Sequence, residues 1–207
     1  MKNFAVLASG YGGNLQAIID AVKQKKIKAN LKLVISDKAQ AFALERAKKA
    51  GIASVYINPL DFSDRKSFDK KVIQYLKENK IDLVVLAGFM RLLSPYFIKQ
   101  YPNKIINIHP ALLPSFKGVH GIKDAFDYGV KITGVSVHFV SEGMDEGAII
   151  AQEVVKIGLK DTFESLSKKI HRVEHRLYPK VIDCVIRQNL KLSGRQVVLP
   201  QIPVSRP

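Results

Sequence analysis

A single cysteine, no apolar run longer than Leu83 to Met90 and only a brief apolar stretch after Lys2 set the first limits on this 207-residue chain. A lone thiol cannot close an internal disulfide, and Cys184 sits in an apolar helical stripe that marks it as buried and structural rather than nucleophilic. The Leu83 to Met90 run is too short to cross a bilayer. One lysine precedes a brief apolar strand at the N-terminus, where a secretory signal would need a longer apolar stretch, so the expected location is the cytoplasm. Internal repeats and low-complexity linkers are also missing. With 47% hydrophobic and 25% charged residues, one domain over residues 1–207 with one substantial core is expected.

The net charge of +15 raises the question of nucleic acid. The lysines are dispersed, however: Lys23, Lys25, Lys26 and Lys28, then Lys48 and Lys49, then Lys70, Lys71, Lys77 and Lys80 fall on polar faces or ends of successive predicted helices. Nothing joins them to exposed aromatics or to a nucleic-acid motif. They read as solvated surface with weak steering of anionic substrates.

Periodicity supplies the architecture. Phe4 to Ser9, Leu31 to Ser36, Ser54 to Ile57, Leu83 to Ala87 and Lys104 to Ile108 read as strands. They alternate with amphipathic helices at Leu15 to Lys25, Ala41 to Ala50 and Lys66 to Asn79. A short helix closes near Gly129, and strands follow at Gly134 to Val140 and Ile149 to Ile157. The last helix opens with a capping-box pattern at Asp161-Thr162-Phe163-Glu164, runs to about Gln188 and is expected to kink at Pro179. Residues 191–207 form a tail, expected to lie extended on the surface. The pattern predicts an α/β fold, a mostly parallel central sheet with helices on both faces, and ligands beyond the carboxyl ends of the strands.

Gly10-Tyr11-Gly12-Gly13-Asn14-Leu15 lies between a strand and a helix, where free N–H groups and the positive helix end suit a phosphate. It lacks the Gly-Lys-Ser/Thr ending of a P-loop, and Leu15 occupies the third glycine of a dinucleotide fingerprint. Asp37 after the second strand keeps a ribose-binding acid and a nicotinamide cofactor open. Plain tight-turn geometry would account for the glycines equally well.

Asn107 and His109 alternate along one strand end, so both project on one face, and Pro110 stiffens the loop that follows. Asp145 stands between Gly143 and Gly147. An amide, an imidazole and a carboxylate brought together can hold a carbonyl, stabilise its oxyanion and collect the proton of an attacking amine. Each alone has an ordinary reading as a loop or turn residue, and spacing does not decide.

Resemblance adds what spacing cannot. Asn107 to Gly118 (NIHPALLPSFKG), Gly134 to Val140 and Met144-Asp145-Glu146-Gly147 resemble the phosphoribosylglycinamide formyltransferases of purine biosynthesis. So do Leu7 to Gly10, Gly12 to Ile18, Leu86 to Arg91, and Glu174-His175 with Tyr178-Pro179. Nearly the whole chain is covered. The resemblance implies a Rossmann-like formyltransferase fold, with residues 1–100 as a phosphate-binding half and 101–190 as a catalytic and folate-binding half. It implies transfer of a formyl group from 10-formyltetrahydrofolate to the amine of 5'-phosphoribosylglycinamide, without a metal.

The same resemblance assigns roles. Asn107 would hold the formyl oxygen, His109 would stabilise the oxyanion, and Asp145 would orient the histidine or a water and move the amine proton. Gly12, Gly13 and Asn14 would cradle the phosphate with Arg65 as cationic partner, and Glu174 would receive ribose hydroxyls. Met90, Arg91, Leu92 and Leu93, with Val140, Ser141, Glu142, Gly143, Met144 and Asp145, would surround the folate. Gly13 departs from the serine of many members. His120 matches a histidine of the family loop, whereas His138, His171 and His175 read as structural or surface residues. The expected partners are small molecules, with no nucleic acid or membrane, and the expected state is monomer or homodimer.

Related formyl-group enzymes share this Asn-His-Asp core. A methionyl-tRNA formyltransferase would carry a further C-terminal domain and a formyltetrahydrofolate hydrolase an N-terminal regulatory one, and neither is expected here. A nucleotide- or RNA-binding module and a nicotinamide-dependent oxidoreductase complete the alternatives.

Overall fold

The computed structural model describes residues 1–188 and 190–198. Seven strands, β1 (Asn3–Leu7), β2 (Asn30–Ser36), β3 (Ala53–Tyr56), β4 (Leu83–Leu86), β5 (Ile105–His109), β6 (Ile132–Phe139) and β7 (Ile149–Lys156), form one sheet in the order β3-β2-β1-β4-β5-β6-β7. The first five run parallel, and β6 and β7 each pair antiparallel to the preceding strand. The direction of winding reverses between β1 and β4, which opens a crevice at their carboxyl ends.

Alternation along the strands sorts side chains into two cores. Phe4 and Val6 of β1 enter one core with Leu15, Ile18, Ala43 and Ile170, while Ala5 and Leu7 enter the other with Phe68, Val72 and Phe97. Helices α1 (Gly13–Lys23), α2 (Phe42–Lys49), α5 (Gly121–Tyr128) and α6 (Phe163–Arg187) therefore cover one face. Helices α3 (Arg65–Glu78) and α4 (Pro95–Gln100) cover the opposite face. Fully burying a side chain such as Ile18 or Phe68 contributes about 1.5–3 kcal/mol, enough to fix which way each helix faces.

Helix α4 was not expected from periodicity, because six residues hold less than two full turns. Its start is nonetheless written locally: Ser94 accepts the Phe97 N–H at 3.3 Å, and Pro95 occupies the first turn, where no N–H is required. The capping box of α6 closes between Thr162 and Ser165 rather than Glu164, each side chain accepting the other's backbone N–H. Helix α6 continues through Pro179 to Arg187. The fully buried Tyr178 anchors it, its hydroxyl lying 2.7 Å from the Leu86 carbonyl and 3.1 Å from that of Ile106.

The first part of the tail is a hairpin rather than an extended segment: β8 (Lys191–Ser193) pairs antiparallel with β9 (Gln196–Val198) around Gly194. Leu190, Leu192 and Val197 pack against the larger core, and burying them explains why the chain turns back. Residues 199–207 lie outside the described residues. Cys184 is a free, buried thiol whose pKa burial raises. Lys23, Lys25, Lys26, Lys28, Lys48, Lys49, Lys70, Lys77 and Lys80 are all exposed. No helix among the described residues is long and apolar enough to cross a membrane.

Candidate active site

Antiparallel pairing of β5 with β6 sets Asn107 directly opposite His138 and His109 opposite Ser136. The Asn107 amide nitrogen lies 3.3 Å from His138 Nε2, while His138 Nδ1 lies 2.8 Å from the Phe139 carbonyl. A carbonyl only accepts, so Nδ1 carries a hydrogen; Nε2 accepts from Asn107 in the neutral ring and, when the ring is protonated, faces Asp145 as a donor. The same argument fixes His109. Its Nε2 donates to the Phe116 carbonyl at 2.7 Å, which leaves Nδ1 free for chemistry.

Asp145 lies between the two rings, with Oδ2 3.4 Å from His109 Nδ1 and Oδ1 3.5 Å from His138 Nε2. The Gly118 N–H donates to Oδ2 at 2.9 Å. Burial alone would raise the Asp145 pKa. The His138 contact, the Gly118 amide and the nearby imidazoles outweigh burial and hold it below the usual carboxylate value. Asp145 has left-handed backbone geometry (φ 53°), uncommon for a residue other than glycine. Gly147 permits the loop to return, since a Cβ there would stand 1.6 Å from the Phe139 carbonyl oxygen.

A second polar group lines the same cleft. Glu174, on α6 and 4% exposed, accepts from the Asn14 amide at 3.2 Å and from His171 Nδ1 at 2.8 Å, both on Oε2. The bond to Glu174 raises the His171 pKa despite burial, whereas burial lowers that of His175. Asn14 Oδ1 is buried without a hydrogen-bond partner among the described residues.

The glycine turn leads directly into α1. Gly12 takes φ 75°, and a Cβ there would be 3.0 Å from Ala43, so a side chain would both strain the backbone and crowd α2. At Gly13 a Cβ would stand 3.1 Å from the His175 ring.

The third wall carries apolar surface. Met90, Leu92, Val119 and Met144 are exposed around the same cleft of about 340 Å³ that Asn14, Asn107, His109, Asp145 and Glu174 line. Arg91, Leu93 and Val140 to Gly143 complete that part of the lining. Asp37, 3% exposed, accepts the Ser9 hydroxyl at 2.6 Å, and Ser9 in turn accepts the Met90 N–H at 2.9 Å. This acid therefore braces the Met90 segment, which accounts for it without a nicotinamide ribose. Among the described residues no group of three or more His, Cys, Asp or Glu side chains is placed to hold a metal ion.

The cleft thus gathers Asn14, Met90 to Leu93, Asn107, Val140 to Asp145 and Glu174. Gly12 and Gly13 adjoin it through Asn14. Arg65 opens α3, is exposed and does not line the cleft. Sequence reasoning read His138 and His171 as structural or surface residues; the structure sets His138 beside Asn107 and Asp145, sets His171 beside Glu174, and brings the Gly118 N–H to Asp145. The pairing of β5 with β6 could have flagged His138, and three-residue spacing on one helix could have flagged His171 beside Glu174. A larger hollow of about 750 Å³ between α1 and α6 touches none of the three candidate catalytic residues.

A sheet that switches from parallel to antiparallel beside an amide, two imidazoles and a carboxylate holds the groups that acyl transfer requires. Residues 2–182 match the family model described as formyl transferase, and the chain belongs to that family. It is 42% identical to phosphoribosylglycinamide formyltransferase of Bacillus subtilis (strain 168), covering 94% of this chain and 98% of that protein. Its identity to the Escherichia coli (strain K12) protein of the same name is 43%, over 92% and 90% of the two chains. The trifunctional purine biosynthetic protein adenosine-3 of Homo sapiens is 43% identical over 91% of this chain, which spans 19% of that longer protein. Glycinamide ribonucleotide transformylase 1 from Symbiobacterium toebii superposes with a TM-score of 0.94 at 42% identity, covering 96% of this chain and 94% of that one.

Proposed function

We propose that this chain transfers the formyl group of 10-formyltetrahydrofolate to the amine of 5'-phosphoribosylglycinamide. The products are 5'-phosphoribosyl-N-formylglycinamide and tetrahydrofolate, and the reaction belongs to de novo purine biosynthesis in the cytoplasm. One observation carries the reading: a single cleft is lined by the Asn107–His109–Asp145 group, the polar Asn14–Glu174 pair and the apolar side chains of Met90 and Met144.

Glu174 and Asn14 receive the ribose and the start of α1 receives the phosphate, which brings the glycinamide amine to the centre. Met90 to Leu93 and Val140 to Asp145 receive the folate and present its formyl carbon. The neutral amine attacks that carbon, a C–N bond forms, and the carbonyl electron pair moves onto oxygen. Asn107 donates an amide hydrogen to this oxyanion, and the protonated Nδ1 side of His109 balances its charge beside Asp145. The nitrogen, now cationic, releases its proton to Asp145 directly or through water. Collapse of the intermediate re-forms the carbonyl and breaks the bond to the folate N10, which takes up the proton that Asp145 received from the amine.

Spectroscopic release of tetrahydrofolate, with and without phosphoribosylglycinamide, tests the reading. Release that requires the ribonucleotide supports it. Equal release without it indicates hydrolysis and overturns it, as does no release in either case.

A further inference from the structure

The turn before α1 is held from outside by α2. Ala43 N–H donates to the Gly10 carbonyl at 3.1 Å, and Arg46 Nε donates to the Tyr11 carbonyl at 2.9 Å. A second bond from Arg46 Nη1 to Gln16 Oε1, also 2.9 Å, ties the same guanidinium to α1. Its central carbon lies 4.6 Å from the Tyr11 ring centroid and 4.7 Å from that of Phe42, and the two rings stack at 5.4 Å. Stacking and two directional bonds leave this arginine little freedom.

The consequence passes through the peptide plane. In a trans peptide the carbonyl of one residue and the N–H of the next point in opposite directions. Fixing the Tyr11 carbonyl towards Arg46 therefore directs the Gly12 N–H away from α2, and that N–H has no protein partner among the described residues. A cationic donor on the carbonyl also polarises the peptide and strengthens the N–H as a donor.

We propose that Arg46 is a positioning residue that aims the Gly12 N–H at the substrate phosphate through the Tyr11–Gly12 peptide; this rests on the function proposed above. Orientation, and not only positive charge, is its contribution. Lysine carries the charge without the planar fork, so it does not replace arginine here.

The test compares wild type with Arg46→Lys and Arg46→Gln. Both variants are expected to raise KM for phosphoribosylglycinamide roughly tenfold, the loss of one charge-assisted hydrogen bond. KM for the folate and kcat should stay close to wild type. An unchanged KM in Arg46→Gln, or a wild-type KM in Arg46→Lys, overturns the proposal. Amide NMR with inorganic phosphate supplies a readout that needs no turnover. The Gly12 resonance should shift on titration in wild type and respond weakly in Arg46→Lys, and equal responses overturn the proposal. If wild type catalyses no ribonucleotide-dependent transfer, the functional reading fails by itself and the phosphate titration still judges the role of Arg46.

Discussion

The Tyr178 hydroxyl donates to the Leu86 carbonyl at 2.7 Å, from the middle of the longest helix to the last residue of a central strand. Glu174 lies one turn earlier on the same helix, so this buried bond also sets the depth at which its carboxylate meets Asn14. Tyr178→Phe should cost about 1–3 kcal/mol by leaving buried carbonyl groups short of a donor. At roughly 2–4 °C per kcal/mol for a chain of this size, a thermal melt resolves the difference. An unchanged melting temperature would show that the hydroxyl is dispensable.

Asp145→Asn keeps the shape and the acceptor for the Gly118 N–H but removes the charge between the two imidazoles. A loss of kcat on the order of 10²–10⁴ is expected, the usual contribution of a positioned proton acceptor. KM for both substrates should change little. Single-turnover rates on the folded variant check this, and full activity would remove Asp145 from the chemistry.

His138→Phe should lower kcat by up to about a hundredfold, because Asn107 loses the ring that orients its amide. The effect should be smaller than that of His109→Ala measured under the same conditions. Equal losses would mean that His138 takes part directly.

Asp69 supplies a pH test with the opposite sign from the usual salt-bridged carboxylate. It is 1% exposed, and burial raises its pKa despite bonds from Ser94 and the charges of Arg65 and Arg91. A raised folded pKa means that the folded state holds the proton more tightly. The stability this contributes is present below the unfolded value, about 3.9, and is lost as pH rises through the folded value. Asp69→Asn, which retains an acceptor for the Ser94 N–H, should therefore be at least as stable as wild type at pH 7. Its advantage should shrink as pH falls. Denaturant midpoints from pH 4 to pH 8 check this, and an advantage that grows on acidification would reverse the assignment.

Gly147→Ala should destabilise by at least about 1–3 kcal/mol, the usual cost of forcing an extra methyl group into closed packing. The Phe139 carbonyl cannot accommodate it without moving the 141–147 loop. KM for the folate should rise more than KM for the ribonucleotide, and equal changes would argue that the loop does not face the folate.

The parallel half of the fold was legible because its strands are continuous apolar runs separated by amphipathic helices. Helix α4 was not, since its signal is one serine cap and one proline rather than a repeating stripe. The hairpin β8–β9 was missed because Leu190, Leu192 and Val197 gain their burial from a distant core that local sequence does not reveal. Asn107, His109 and Asp145 could be named from their motifs, but His138 enters through a cross-strand pairing between residues 31 apart in the chain. The contact of Arg46 with the glycine turn likewise depends on how α2 docks beside α1.

The rung that pairs Asn107 with His138 has one more consequence. A slip of one residue between β5 and β6 would send one of the two side chains to the far side of the sheet. Turnover therefore reports strand registration. In a refolding experiment circular dichroism would count every chain that has formed a sheet, whereas enzymatic activity would count only those zipped in the native alignment, and the difference between the two curves would measure misregistered protein.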